Sequence, residues 1–260
     1  MATLFVKPYE IGVLKEAGRR LAFVMEKLHK IIVPGGTAAE LDGKAEALIR
    51  RFGDTPAFLG YTPSGADRPY PATICVSINN EVVHGIPGSH LGKFNEGDIV
   101  SLDIGLKHEG YFVDMAKTFS VGNLLDPLAQ KLIQVTEEAL MKGIEAARSG
   151  GTIGDIGFAV SSHVEENGFS IVRGLGGHGI GRALHEAPFI PNFGKSGSGG
   201  KLYPGLALAI EPIVNEGSPA VVLADDGFTY KTKDGRRSAH FEHTILITEE
   251  GPQIITVTNH

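Results

Sequence analysis

From Pro8 onward, apolar positions fall at Ile11, Leu14, Gly18, Leu21, Met25, Leu28 and Ile32, in alternating steps of three and four. That spacing lays one apolar stripe along a helix, and Pro8 suits its first turn, where an N–H would have no partner anyway. Pro34-Gly35-Gly36 stops the helix, and Thr37 is placed to cap a second one reaching about Phe52. A similar pair recurs. Asp126-Pro127 opens a helix carrying Leu128, Leu132, Val135, Leu140 and Ile144; Gly150-Gly151 ends it, and Thr152 caps another that runs to about Asn167.

Strand-like segments follow each helical pair. Gly97 precedes an apolar run that reaches Asp103 six residues on, and Gly205 precedes one that reaches Glu211 at the same distance. Second strands are predicted over 111–121, holding Asp114, and over 237–248, holding Glu242. His84-Gly85-Ile86-Pro87 answers His178-Gly179-Ile180-Gly181. Several matches in the same order indicate an internal duplication, with halves at about 8–121 and 125–250 of one domain spanning 1–260. Two helices followed by strands, twice over, predict an α+β fold with helices packed on a curved, mostly antiparallel sheet.

Composition narrows the setting more than the chemistry. The chain of 260 residues is long enough to bury a core without staples, and its formal charge of −6 offers no basic stripe for nucleic acid. It has no apolar run long enough to span a bilayer and no signal-peptide-like start. The one cysteine, Cys75, cannot form an internal disulfide, which fits a reducing compartment and a cytoplasmic location. Thirty-five glycines are about twice the usual share.

The matched strands carry acids where a core strand should be apolar. Asp103 ends Val100-Ser101-Leu102-Asp103, and Glu211 ends Leu208-Ala209-Ile210-Glu211. A buried carboxylate without a partner costs several kcal/mol or takes up a proton. Four carboxylates (Asp103, Asp114, Glu211, Glu242) gathered by symmetry repel one another unless cations sit among them. Oxygens with one imidazole, for which His178 is the candidate, suit two divalent ions such as Mn, Fe, Co or Zn. Gly174, Gly176 and Gly179 also satisfy G-x-G-x-x-G, but Pro188 and Pro191 leave no room for the helix a dinucleotide site needs. These glycines instead suggest close backbone approach to a metal or substrate.

Taken together, His84-Gly-Ile-Pro, Asp103 and Asp114 eleven apart, Gly-His178-Gly-Ile-Gly with His185-Glu, Ile-Glu211-Pro and Phe-Glu242-His-Thr resemble the type I methionine aminopeptidases. The resemblance covers essentially the whole chain and implies the pita-bread fold. It implies that Asp103 holds one metal, that Asp114 and Glu242 bridge two, and that His178 and Glu211 complete the second. Glu211 is then the candidate to take a proton from an activated water and pass it to the leaving amine. His185 would donate to the developing oxyanion, and His84 to the substrate backbone. The resemblance also implies a methionine pocket of Phe58, Tyr61, Tyr70, Cys75, Leu184 and Phe228. Leu184 and Phe228 depart from the larger aromatics frequent there, and 62–68 lengthens the loop before Tyr70. The remaining histidines (His29, His90, His108, His163, His240, His243 and His260) read as surface or packing residues.

The expected substrates are N-terminal methionine peptides and nascent chains whose second residue is Gly, Ala, Ser, Thr, Cys, Pro or Val. The expected form is a monomer, with the ribosome surface as a candidate partner. The rivals are an aminopeptidase P or prolidase, which usually carries an extra N-terminal domain before a helix like the one starting at Pro8, and a non-catalytic binding protein on the same scaffold. Only 25 residues separate His185 from Glu211, too few for the helical insertion of the type II enzymes.

Overall fold

A computed structural model of the chain describes residues 2–63, 67–89, 92–123 and 126–258. His90, His260 and the middle of the 62–68 loop lie outside the described residues. Among the described residues, four α-helices start where the sequence signals them. α1 (Pro8–His29) starts on its proline, and α2 (Ala38–Arg51) starts on a reciprocal Thr37–Glu40 capping box. The Asp126 carboxylate accepts from Leu128 N at 2.8 Å to begin α3 (Pro127–Ala146), and Asp155 accepts from Thr152 N at 2.8 Å at the start of α4 (Ile153–Glu166).

The strands of the first part of the chain are β1 (Thr55–Pro56), β2 (Ile74–Ile78), β3 (Glu81–Val83), β4 (Ile99–His108) and β5 (Tyr111–Ser120). After α4 come β6 (Ser170–Ile171), β7 (Gly176–Gly179), β8 (Glu186–Pro191), β9 (Ala207–Ile210) and β10 (Ile213–Asn215). The last are β11 (Val221–Leu223), β12 (Tyr230–Thr232), β13 (Ser238–His240), β14 (Glu242–Ile247) and β15 (Pro252–Ile254). The largest sheet runs β1-β4-β5-β14-β9-β7-β8, with β2 added on β4 and β15 on β14. All of its pairings are antiparallel. Gly97 and Gly205, at the entrances to β4 and β9, both take positive φ (85° and 90°), which a Cβ would disfavour.

Leu14, Leu21 and Leu28 seat α1 in a core shared with Ile74, Leu102, Ile104 and Val113 of β2, β4 and β5. Leu140 and Ile144 of α3 pack with Leu208, Ile210 and Ile245 of β9 and β14. Strand alternation then divides the sheet. Met115 and His243 line a hollow between α1 and α3, while their neighbours Asp114 and Glu242 line a cavity elsewhere.

The structure departs from the expected long strand over 237–248. The chain breaks at Phe241: β13 pairs with β10 in a small sheet, and β14 pairs with β5 and β9 in the large one. The neighbouring chain breaks in step at Glu211-Pro212, between β9 and β10, where proline has no N–H to continue a ladder. Both breaks sit at acidic residues, so the sheets part where Glu211 and Glu242 stand. No helix among the described residues is long and apolar enough to cross a membrane.

Candidate metal centre and active site

Sheet order sets the five candidate ligands side by side. Asp103 is on β4, Asp114 on β5, Glu242 at the start of β14, Glu211 just past β9 and His178 on β7, and these five strands are consecutive neighbours. Asp114 is fastened to β14 by Thr244, whose Oγ1 accepts from Asp114 N at 2.9 Å and donates to Asp114 O at 2.8 Å. All five side chains line one cavity of about 480 Å³.

Three carboxylate oxygens there, Asp103 Oδ1, Asp114 Oδ1 and Glu242 Oε1, are buried without a hydrogen-bond partner among the described residues. Burial pushes Asp103 up to about 7, with Glu211 adding to the rise against His240. Burial, then the charges of Asp103 and Glu211, raise Asp114 well above the ordinary carboxylate range; Glu242 rises for the same reasons, through Asp114. Burial alone would raise Glu211 too, but His240, His178 and His84 outweigh it and hold Glu211 low.

Partnerless carboxyl oxygens crowded around one volume are what a multivalent cation satisfies, in place of the protons they otherwise hold. Asp114, His178 and Glu242 each offer a ligand atom, all within 4.8 Å of one another. His178 Nδ1 lies 2.9 Å from the Gly179 carbonyl, which can only accept, so Nδ1 carries the proton and Nε2 keeps its lone pair. That Nε2 is 3.8 Å from Glu211 Oε1. The residues present fit a metal.

His84 and His185 line the same cavity. His84 holds φ 59°, an uncommon conformation for a residue with a Cβ, and its ring meets Tyr230 edge-on at 6.0 Å. His185 packs edge-on against His178 at 4.4 Å, and its Nδ1 is 2.7 Å from the Tyr61 hydroxyl. Desolvation by the cavity walls, then the neighbouring His178, lower His185 to about 4, and the same desolvation lowers His84, although both side chains stay exposed to solvent at the cavity mouth. Both rings are therefore neutral near pH 7.

The apolar wall contains Phe58, Tyr61, Tyr70, Cys75, Leu184 and Phe228, together with Leu175 and Phe189. Cys75 pairs across from Asp103, which turns both side chains to one face. Tyr70 meets Phe228 edge-on at 5.3 Å, and its hydroxyl donates to Gly85 O at 2.8 Å.

The glycine-rich segment serves neighbouring strands more than a ligand. A Cβ on Gly177 would stand 2.2 Å from Ala209 O, and one on Gly179 would stand 2.2 Å from Ala187 O. Gly176 does line the cavity, but its own Cβ would meet Ile190 O at 2.7 Å. The tight pairing of β7 between β8 and β9 thus explains these glycines.

Sequence reasoning passed over His240. It is 1% exposed, and its Nε2 lies 3.4 Å from Glu211 Oε2, without the alignment of a hydrogen bond. A signal was present: His240 stands two residues before Glu242, the period that keeps strand side chains on one face. The other described histidines take packing or pairing roles, His29 on Phe119, His108 with Asp54, His163 with Glu138 and His243 with Thr256.

Buried carboxylates, one oriented imidazole and two neutral histidines in an apolar cavity define a metal-dependent hydrolase. Residues 12–249 match metallopeptidase family M24. Methionine aminopeptidase 1 of Bacillus subtilis is 47% identical over 96% of this chain and 97% of its own length. Methionine aminopeptidase of Clostridium perfringens is 46% identical over 95% and 96%. The crystal structure of methionine aminopeptidase from Thermotoga maritima superposes with a TM-score of 0.92 at 42% identity, covering 99% of this chain and 100% of that one. The chain belongs to the methionine aminopeptidases of metallopeptidase family M24, of the type I kind and with the pita-bread fold.

Proposed function

We propose that the chain removes N-terminal methionine from peptides and nascent chains with a small second residue, using two divalent ions held by Asp103, Asp114, His178, Glu211 and Glu242. The observation that carries this reading is the set of buried, partnerless oxygens on Asp103, Asp114 and Glu242 inside a cavity with an apolar wall. Asp103 would serve one ion, His178 with Glu211 would serve the other, and Asp114 and Glu242 would serve both. When bound, such ions polarise the scissile carbonyl and bring a water's acidity to near neutrality.

The chain's own groups do the rest. Glu211, held below the ordinary carboxyl range chiefly by the neighbouring His240, accepts the water's proton and returns it to the leaving amine. His185, neutral and oriented through Tyr61, donates to the carbonyl oxygen as charge develops there. His84 hydrogen-bonds the substrate backbone beside the scissile nitrogen. Phe58, Tyr61, Tyr70, Cys75, Leu184 and Phe228 receive the methionine side chain, whose thioether favours aromatic edges. Residues 8–121 and 125–250 act as two halves of one catalytic domain, working as a cytoplasmic monomer on chains leaving the ribosome.

The test is hydrolysis of Met-Ala-Ser by metal-stripped protein titrated with single divalent ions. Activity should return with up to two ions bound per chain. Leu-Ala-Ser should be slower by about 10–200-fold, the range a hydrophobic pocket achieves between near-isosteres. Acetyl-Met-Ala-Ser and Met-Lys-Ser should be inert. Full activity without metal, or cleavage only of peptides with proline second, would overturn the reading; the second result would favour aminopeptidase P.

A further inference from the structure

Phe228 forms part of the cavity wall from an unusual position, near the tip of the β11–β12 hairpin. That hairpin belongs to the small β11-β12-β3 sheet, in which β11 is an edge strand with Val222 and Leu223 exposed. The 224–229 turn is shaped from within by Asp226. Its Oδ1 accepts from Phe228 N at 2.9 Å and Thr229 N at 2.8 Å, and its Oδ2 accepts from Thr229 Oγ1 at 2.6 Å. These bonds fix the turn's shape but do not tie it to the rest of the cavity.

A tie comes from a residue far away in sequence. Arg68 Nη2 donates to the Asp226 carbonyl at 2.7 Å, and its guanidinium carbon stands 4.7 Å from the centre of the Phe228 ring. Phe228 is therefore held between Tyr70, edge-on, and the Arg68 guanidinium. A planar cation can cover a ring face and still reach a carbonyl with its fork, which an ammonium does poorly. Arg68 is exposed to solvent, so cutting back its side chain empties no core position.

We infer that Arg68 is a positioning residue for substrate selection: its side chain latches onto the 224–229 turn and holds Phe228 as a fixed wall of the first-residue pocket. This rests on the reading of the cavity as the methionine site. A wall braced this way limits the size of the side chain admitted without touching His84, His185 or Glu211.

Two measurements test the inference. In the first, Arg68→Ala should raise KM for Met-Ala-Ser about three- to tenfold, the scale of losing one cation–ring contact and one charge-assisted hydrogen bond near the surface. Its kcat should stay within about twofold, and preference for Met-Ala-Ser over Phe-Ala-Ser should fall (order-of-magnitude expectations from the same contacts). Arg68→Lys should recover part of the loss. In a Phe228→Ala background, Arg68→Ala should have no further effect, because the partner through which it acts is gone. An unchanged KM and preference, or an equal effect in the Phe228→Ala background, overturns the inference.

The second measurement does not depend on activity. The chain contains no tryptophan, so Phe228→Trp installs a single fluorophore in the wall. Adding Arg68→Ala should red-shift its emission and increase quenching by acrylamide; unchanged quenching overturns the latch. Failure of the wild-type protein to cleave Met-Ala-Ser would remove the methionine reading, and the fluorescence comparison would still decide whether Arg68 holds Phe228.

Discussion

His240 Nε2 stands 3.4 Å from Glu211 Oε2, while His178 Nε2 is 3.8 Å from the other oxygen of the same carboxylate. His240 is placed by its backbone: its N–H donates to Thr118 Oγ1 at 2.9 Å, and its carbonyl accepts from the same hydroxyl at 2.9 Å. Ser101 Oγ completes the chain, 2.8 Å from Thr118 Oγ1. Glu211 thus has a nitrogen beside each oxygen, one of them anchored through β4 and β5. Groups behind metal ligands typically change affinity or activity by about 10–100-fold when removed. His240→Ala should fall in that range in kcat/KM and in metal affinity measured by calorimetry. His240→Gln, which keeps an N–H at similar reach, should recover most of it. Equal defects in both variants would show that ring packing, and not the contact to Glu211, is what matters.

The proposed sharing of two ions by Asp114 and Glu242 predicts a stoichiometry. Asp114→Ala and Glu242→Ala should each reduce bound divalent metal, measured by elemental analysis, by more than removal of Asp103 does. Activity should fall below about a thousandth of wild type, because the shared ligands act as a unit whose losses do not add. Retention of two ions per chain in either variant would contradict the assignment.

His185 and Tyr61 share a 2.7 Å contact, and substitutions there test the proposed division between substrate chemistry and metal binding. His185→Ala should keep its metal content yet lose roughly 10²-fold or more in kcat/KM, the scale of one transition-state donor. Tyr61→Phe keeps the ring against His185 and removes only the hydroxyl. It should cost about three- to tenfold, the value of one hydrogen bond of about 1 kcal/mol. If metal content drops in His185→Ala, the division of roles between His178 and His185 is wrong.

Much of this site was legible because strand periodicity and duplication act locally. An acid at the end of an apolar run, found twice at equal distance from a glycine, is visible without coordinates, as at Asp103 and Glu211. Helix starts were legible for the same reason, since Thr37 and Asp126 bond to residues two or three positions on. What the chain hid depends on distant partners. Phe241 and Pro212 break their strands together because two sheets part there, and neither residue announces the other. The Gly177 and Gly179 contacts depend on which strands flank β7. Arg68 on Phe228 joins residues whose spacing carries no repeating signal.

The crowded carboxylates make metal-free stability depend on pH in a direction opposite to ordinary acid denaturation. Folded and without metal, Asp103 is pushed up to about 7, and Asp114 and Glu242 lie well above their usual range, chiefly by burial. In the unfolded chain such groups titrate near about 4. Above that point the folded state holds protons that the unfolded state has released, so stability falls as pH rises through the folded values. His185 and His243, both lowered to about 4 chiefly by burial, act the other way, because the unfolded chain protonates them below about 6.5. Their effect is largely spent above that pH, which leaves pH 6.5–8 as the window where the carboxylates dominate. There the melting temperature of chelator-treated protein should fall by roughly 2–4 °C per pH unit for each proton held, from the usual linkage and size scaling. Saturating manganese or cobalt should raise the melting temperature and flatten the slope, since cations replace the protons. Asp103→Asn, neutral at every pH, should give a shallower slope without metal. A chelated protein whose melting temperature rises from pH 6.5 to 8 would mean that the three carboxylates are ionised and compensated by other groups, and the case for cations at this site would lose its physical basis.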